Sequence, residues 1–459
     1  MAATLGISAS TSLAASPANP DLEVLRRQID ALRGDLENLQ QQLNQQRLAQ
    51  PYAGAPERSK KAEALASASA GAFSERVGSG QGNPRSTPAV GINPSISVAI
   101  DAVGSYSRKQ DNVRLTPRDA EFVFQANIDP FARAYLVANA GSELAPAEKQ
   151  GAFSEVTFGL EEAAIETTAL PFGLQIKAGQ FFADFTRLGK VHPHDLPFVD
   201  HPPVLEQLLG GESKGRGVEL NWVPAVPYYI KLTFGAVDGL GAERSVLGGF
   251  DLNQGSASVF EAPETRGFGS LTYYGRGASV MELGESVFLH MGTNVLRGRD
   301  EGTRTLWGAD AKLVWRLSGG SEAEFGGEVL SGRQSGALTH PLEGSGTGGS
   351  QGKGGYVYAQ YRIGKTWTPG LRFDFVRSRT LSETDSTGGA VADGLEATDE
   401  TLRAVSGYLG CQISEYQRLR LQLTYAASSQ AISGESKRDL QAFLQWTILL
   451  GSHQHALTP

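Results

Sequence analysis

The chain has 459 residues, 20% of them charged, with a formal net charge of -8 and a mean hydropathy of -0.23. No run of about 18 apolar residues occurs, which excludes a transmembrane helix, and the anionic balance argues against nucleic acid as a partner. Transmembrane strands stay open, because each needs only about 9–11 residues with alternate ones facing lipid. The 56 glycines, against one cysteine and three methionines, suit turns and tightly packed strands. The lone Cys411 has no internal disulfide partner, so the redox compartment cannot be read from it.

In chain order, the first stretch is residues 1–20. It lacks the basic residues of a signal-peptide n-region, yet Ser12-Leu13-Ala14-Ala15-Ser16 has the small side chains of a cleavage site. The expectation is the remnant of a signal peptide; a disordered soluble N-terminus fits this stretch as well. Residues 21–49 follow with Leu22, Leu25, Ile29, Leu32, Leu36, Leu39 and Leu43, spaced 3, 4, 3, 4, 3 and 4. That is the apolar seam of a left-handed coiled coil. About three heptads are marginal alone, so the seam predicts an oligomerisation helix that needs a partner copy. The alternative is an amphipathic helix packed on its own chain. Residues 50–93 are rich in Ala, Ser, Gly and Pro and read as a flexible linker.

From Pro94 to Pro459 one theme repeats: short alternating segments separated by Gly, Asp, Asn, Ser and Pro. Ile96, Val98, Ile100, Ala102 and Tyr106 alternate with Ser97, Ala99, Asp101, Val103 and Ser105. Phe122, Phe124, Ala126 and Ile128 oppose Gln125, Asn127 and Asp129, and Tyr228, Ile230, Leu232 and Phe234 oppose Tyr229, Lys231 and Thr233. Farther on, Trp307, Ala309, Ala311, Leu313 and Trp315 oppose Asp310, Lys312 and Arg316, while Leu371, Phe373 and Phe375 oppose Arg372 and Asp374. Leu419, Leu421, Leu423 and Tyr425 oppose Arg418, Arg420, Gln422 and Thr424. Period two with aromatic ends is the pattern of a lipid-facing band between interfacial girdles. A soluble β-sandwich or β-helix also has a buried apolar face, but it does not predict charges filling the other face. The expected fold is an all-β transmembrane antiparallel barrel of about 16 strands. Tight turns such as Ile128-Asp129-Pro130 are expected at one end, facing the periplasm together with both termini. Long polar loops, for example 333–354 and 379–400, are expected at the other.

Several stretches carry a family resemblance: Leu160-Glu161-Glu162-Ala163, Leu170-Pro171-Phe172-Gly173-Leu174, Ala178-Gly179-Gln180-Phe181-Phe182, His192-Pro193-His194-Asp195-Leu196-Pro197-Phe198-Val199-Asp200 and the closing Leu450-Gly451-Ser452-His453-Gln454-His455. Together they resemble bacterial outer-membrane proteins related to the phosphate-selective porins, some of which are labelled zinc-regulated TonB-dependent receptors. The resemblance spans 92–455. It implies a barrel of about 16 strands with a passive channel for small solutes or ions, as a homotrimer in outer-membrane lipid; the alternative is a structural barrel whose periplasmic coiled coil links it to the cell wall. Two features depart from it. The sequence ends Ala456-Leu457-Thr458-Pro459 rather than on an aromatic residue, and the lumen faces mix charge signs where phosphate selectivity wants a basic ladder. TonB-dependent receptors enclose a plug in a barrel of about 22 strands, and residues 1–93 read as helix and linker instead.

The candidate pore-lining residues are Lys177, Lys231, Asp310, Lys312, Arg316, Glu324, Arg372, Asp374, Arg418 and Arg420, with Glu322 and Glu328 beside them. The densest group of ligand-type side chains is His192, His194, Asp195, Asp200 and His201. Imidazole and carboxylate donors suit zinc or copper, which points to metal uptake. The alternative, which the residue types favour, is a polar loop folded into the lumen whose His and Asp side chains bond the wall. Glu161-Glu162 suggests acid/base work, but neighbours on a regular strand point to opposite faces. No nucleophile elbow, P-loop or CxxC pair occurs, and Gly344–Gly349 matches G-x-G-x-x-G only inside a Gly/Ser loop. A non-enzymatic protein without a cofactor is expected.

Overall fold

A computed structural model describes residues 95–109, 111–141, 157–241, 267–299, 303–339, 345–383, 395–429 and 437–451. The signal-peptide remnant, the heptad seam and the linker lie outside these residues, as do His453 and His455. Among the described residues, no helix is long and apolar enough to cross a membrane.

The strands are β1 (Ser95–Ser107), β2 (Asn112–Asp129), β3 (Ala132–Gly141), β4 (Thr157–Thr167), β5 (Leu174–Phe182), β6 (Lys214–Trp222), β7 (Tyr229–Val237) and β8 (Thr272–Glu282). They continue with β9 (Val287–Arg299), β10 (Thr303–Arg316), β11 (Glu322–Thr339), β12 (Ser345–Arg362), β13 (Trp367–Glu383), β14 (Leu395–Ser414), β15 (Gln417–Ser428) and β16 (Arg438–Leu450). Each pairs antiparallel with its sequence neighbours, and β1 pairs with β16 through Val98↔Leu450 to Ser107↔Gln441. The result is the closed antiparallel barrel of 16 strands that the alternation predicts. Closure removes every free strand edge, which is what allows a sheet to stand in lipid.

The wall is inside-out compared with a soluble sheet. Along β10, Trp307 and Trp315 are exposed while Asp310 and Lys312 are buried. Along β15, Leu421, Leu423 and Tyr425 are exposed while Arg420, Gln422 and Thr424 are buried. Apolar residues outside and charges inside are the arrangement that a hydrocarbon surround and a polar lumen impose together.

Many glycines have a packing role in this wall. Gly235, Gly326 and Gly370 lie directly across from Tyr274, Tyr358 and Tyr408. A Cβ on them would meet the tyrosine ring within 2.0, 2.5 and 2.2 Å respectively. Each bare glycine lets an inward tyrosine lie flat on the neighbouring strand, the pairing known as aromatic rescue.

Connections alternate in length. Those after even-numbered strands are short, such as 130–131, 283–286, 363–366 and 415–416. In the first, Asp129 accepts hydrogen bonds from the backbone N–H groups of Phe131 (2.7 Å) and Ala132 (2.8 Å), closing the turn with its own side chain. Both ends of the barrel chain, at Ser95 and Leu450, lie at this tight-turn end. The two polar stretches expected as long loops are different. Strands β11 and β12 extend into 333–354 and leave only 340–344 between them, and β13 and β14 extend into 379–400 around 384–394. A ladder of backbone hydrogen bonds persists there although the Gly- and Ser-rich sequence carries no lipid-facing alternation to announce it. The long connections are 142–156, 183–213 and 238–271.

Candidate functional site: a segment folded into the lumen

The connection 183–213 between β5 and β6 turns back into the barrel. Its only α-helix, α1 (Pro203–Leu209), starts on a proline and ends at Gly210, whose φ of 72° is the left-handed conformation glycine favours at a helix end. The segment brings its own apolar residues: Phe185, Leu196, Phe198, Val204, Leu205, Leu208 and Leu209 are all fully buried. Phe198 lies edge-on to Tyr358 (5.2 Å) and Tyr408 (5.5 Å), two of the glycine-supported tyrosines. Helix α1 packs against β11, β12 and β13.

Arginines on the wall hold the segment by its backbone. Arg420 donates to the carbonyls of Leu196 (2.7 Å) and Phe198, Arg418 to that of His194, and Arg118 to that of Val199. Arg304 donates to Leu208 (2.8 Å) and Leu240 (2.7 Å), and Arg276 to Phe185 (3.1 Å). Arg304 thereby satisfies a carbonyl of the last turn of α1 and ties it to Leu240 in the following connection, and charge-assisted bonds of this kind are the stronger class. Arg372 makes a two-pronged bond to the Asp200 carboxylate, 3.1 Å on each prong, and stacks on Phe198 at 4.5 Å. Gln422 joins it at 2.6 Å from Asp200.

On the other side, Asp184 sits 2.5 Å from Lys190, 3.0 Å from Lys231 and 3.6 Å from Arg276. Burial works against its charge, but these cations outweigh burial and hold the carboxyl well below its usual range. Arg187 reaches Asp310 at 3.4 Å, and Asp310 also pairs with Arg276 at 2.7 Å.

The candidate pore residues therefore fall into three groups. Lys177, Lys231, Asp310, Arg372 and Asp374 face inward but lie behind the segment or pair along the wall, with Lys177 3.0 Å from Glu219 and Asp374 2.8 Å from Arg372. All five are buried: Lys231, Asp310 and Arg372 meet Asp184, Arg187 and Asp200 of the segment, while Lys177 and Asp374 pair with wall residues. Lys312, Glu324, Arg418 and Arg420 border a cavity of about 240 Å³ between the segment and the tight-turn end, which Lys365 and Tyr416 also line. Arg316 is exposed at the turn end of β10, its guanidinium 4.5 Å from the Phe288 ring.

The five candidate metal ligands do not gather as one group. Asp200 belongs to Arg372 and Gln422. His201 faces Glu206 at 3.5 Å, across the first turn of α1. His192, His194 and Asp195 stay together, because Pro193 sets a tight 3₁₀ turn that aims both imidazoles at the wall. There they meet Asp119 and Glu121 of β2 and Glu161 and Glu162 of β4. Glu161 and Glu162 both point inward, at 5% and 4% exposure, against the expectation of opposite faces. A bulge explains it: Val137 pairs with Glu162 and Ala138 with Leu160, so Glu161 is the extra residue. A second bulge, opposite Asp101/Ala102, leaves Arg118 as the extra residue between Pro117 and Asp119.

No protein-family model matches the chain. An uncharacterized protein of Aquifex aeolicus is 26% identical over 347 residues, covering 73% of this chain and 68% of that protein. Among solved structures, the outer membrane channel DcaP of Acinetobacter baumannii is similar over 78% of this chain and 97% of its own, at 11% identity and a TM-score of 0.49. An anion-selective porin from Comamonas acidovorans is similar over 78% and 99%, at 8% identity and a TM-score of 0.46. At such identities nothing of their selectivity transfers to this chain.

Proposed function

We propose that this chain is an outer-membrane channel of the porin kind, in which segment 183–213 sets the passage of small solutes or ions. The observation that carries the reading is the reversal of the wall, apolar outward and charged inward around 16 strands. Barrels of about 16–18 strands are wide enough to leave an aqueous path. The cavity bordered by Lys312, Glu324, Arg418 and Arg420 is the vestibule of that path at the tight-turn end. Pores select by the charges and width at their narrowest part. Here both signs occur, so weak ion preference is expected rather than selectivity for phosphate. The tight-turn end faces the periplasm, and the barrels associate as trimers.

Recording from planar bilayers with the purified full chain tests the reading. Discrete conductance steps with a small reversal potential in a salt gradient are expected. Lys312→Glu moves the reversal potential towards cation preference. Silent bilayers from protein shown to be folded by heat-modifiable gel migration overturn the proposal and leave a structural barrel in its place.

A further inference from the structure

The meeting of the His192–Asp195 turn with β2 and β4 holds more than hydrogen bonding requires. Five carboxylates (Asp119, Glu121, Glu161, Glu162 and Asp195) gather around two imidazoles and the ammonium of Lys214. All eight groups are buried or nearly so, which makes their mutual repulsion costly. Glu121 is the centre of the arrangement. One of its oxygens lies 3.1 Å from Nδ1 of His192 and the other 3.2 Å from Nδ1 of His194. Glu161 approaches the first imidazole at 3.7 Å and Asp119 the second at 3.9 Å. Two triads result, Glu121–Glu161–His192 and Asp119–Glu121–His194, each with its ligand atoms within 4.8 Å of one another.

We propose that these two triads form a binding site for a transition-metal dication of the zinc type, with Glu121 shared between them. Nitrogen and carboxylate oxygen donors about 2.0–2.1 Å from a tetrahedral zinc stand about 3.3 Å from each other. The four contacts above bracket that separation, so an ion enters with small side-chain shifts. Imidazole and carboxylate together suit zinc, copper or nickel rather than calcium or magnesium, which take oxygen alone. Asp119 is 5% exposed and its Oδ1 accepts no hydrogen bond, an orphaned acceptor that a cation would satisfy. Asp195, 3.6 Å from His194, also lines the vestibule and gives the ion a way in from the tight-turn end. A bound ion ties the segment to the wall through His192 and His194. Binding itself does not depend on the channel reading.

Calorimetric titration of the untagged, full-length folded protein with Zn²⁺ tests the site. Saturable binding of one or two ions per chain is expected. Glu121→Gln keeps the side-chain shape and touches both triads; it should weaken binding by at least about 10–100-fold, the loss that even an outer partner of a metal site brings. Gel migration shows whether the variant folds, and His194→Ala, which opens only one triad, provides a second variant with a smaller loss. His201→Ala lies outside both triads and should bind as the parent does. No saturable binding in the parent, or binding untouched by Glu121→Gln and His194→Ala, overturns the proposal. A conductance failure leaves it standing, since the titration reads binding alone.

Discussion

Two arcs of the barrel wall hold the same segment in different ways. On β13 and β15 the wall is basic: Arg372, Arg418 and Arg420 take hold of Asp200 and of the carbonyls of His194, Leu196 and Phe198. On β2 and β4 the wall is acidic, and Asp119, Glu121, Glu161 and Glu162 face His192 and His194. A carbonyl is present whatever side chain the segment carries, so the basic arc fixes a path of backbone. The acidic arc recognises imidazole, so it fixes identity. The first grips backbone whatever the sequence; the second is the arc at which the proposed cation site lies.

The difference is open to direct attack, and the largest effect is expected from Arg420→Ala. It leaves two buried carbonyls unbonded, at roughly 1–3 kcal/mol each. The Phe198 turn then leaves the wall, and single-channel recordings should show a larger, flickering conductance. Gly370→Ala breaks the same arc from beneath: its Cβ would meet the Tyr408 ring at 2.2 Å, and Tyr408 supports Phe198. Overpacking of this kind costs about 1–3 kcal/mol, read as a lower temperature for loss of the folded band on a gel. On the acidic arc, Glu162→Gln removes a charge that accepts from the Phe182 N–H at 2.9 Å. The amide oxygen still accepts, so about 1 kcal/mol is expected in urea unfolding. His201→Ala touches neither arc, and a change within about 0.5 kcal/mol is expected. A larger effect there means that α1, not the arcs, anchors the segment.

The basic arc was far more legible in the sequence than the acidic one. Arg372, Arg418 and Arg420 alternate with Leu371, Leu419 and Leu421, and lipid on one face forces their guanidiniums inward. Their partners were not legible, because a bond to a backbone carbonyl leaves no mark on the residue that accepts it. His192, His194 and Asp195 stand out by density, whereas Asp200 and His201 share only nearness in sequence with them. The turn at Pro193 and the entry into α1 send them elsewhere. Glu121 lies far from His192 along the chain, and only barrel closure brings them together. Glu161 and Glu162 were visible as a pair, and the period-two rule misdirected one of them. A bulge is a property of two strands at once, so β4 alone does not announce it. The long hairpins β11–β12 and β13–β14 hid for a related reason: past the lipid, both faces meet water and alternation carries no signal.

In the proposed function, a porin-like barrel is narrowed by segment 183–213, clamped to the basic arc. Single-channel conductance of the parent beside Arg420→Ala, in the same bilayer and salt, tests it most directly. Small, steady steps for the parent and larger, flickering steps for the variant are predicted. Equal conductance in the two, with both proteins folded, would show that segment 183–213 does not govern the path.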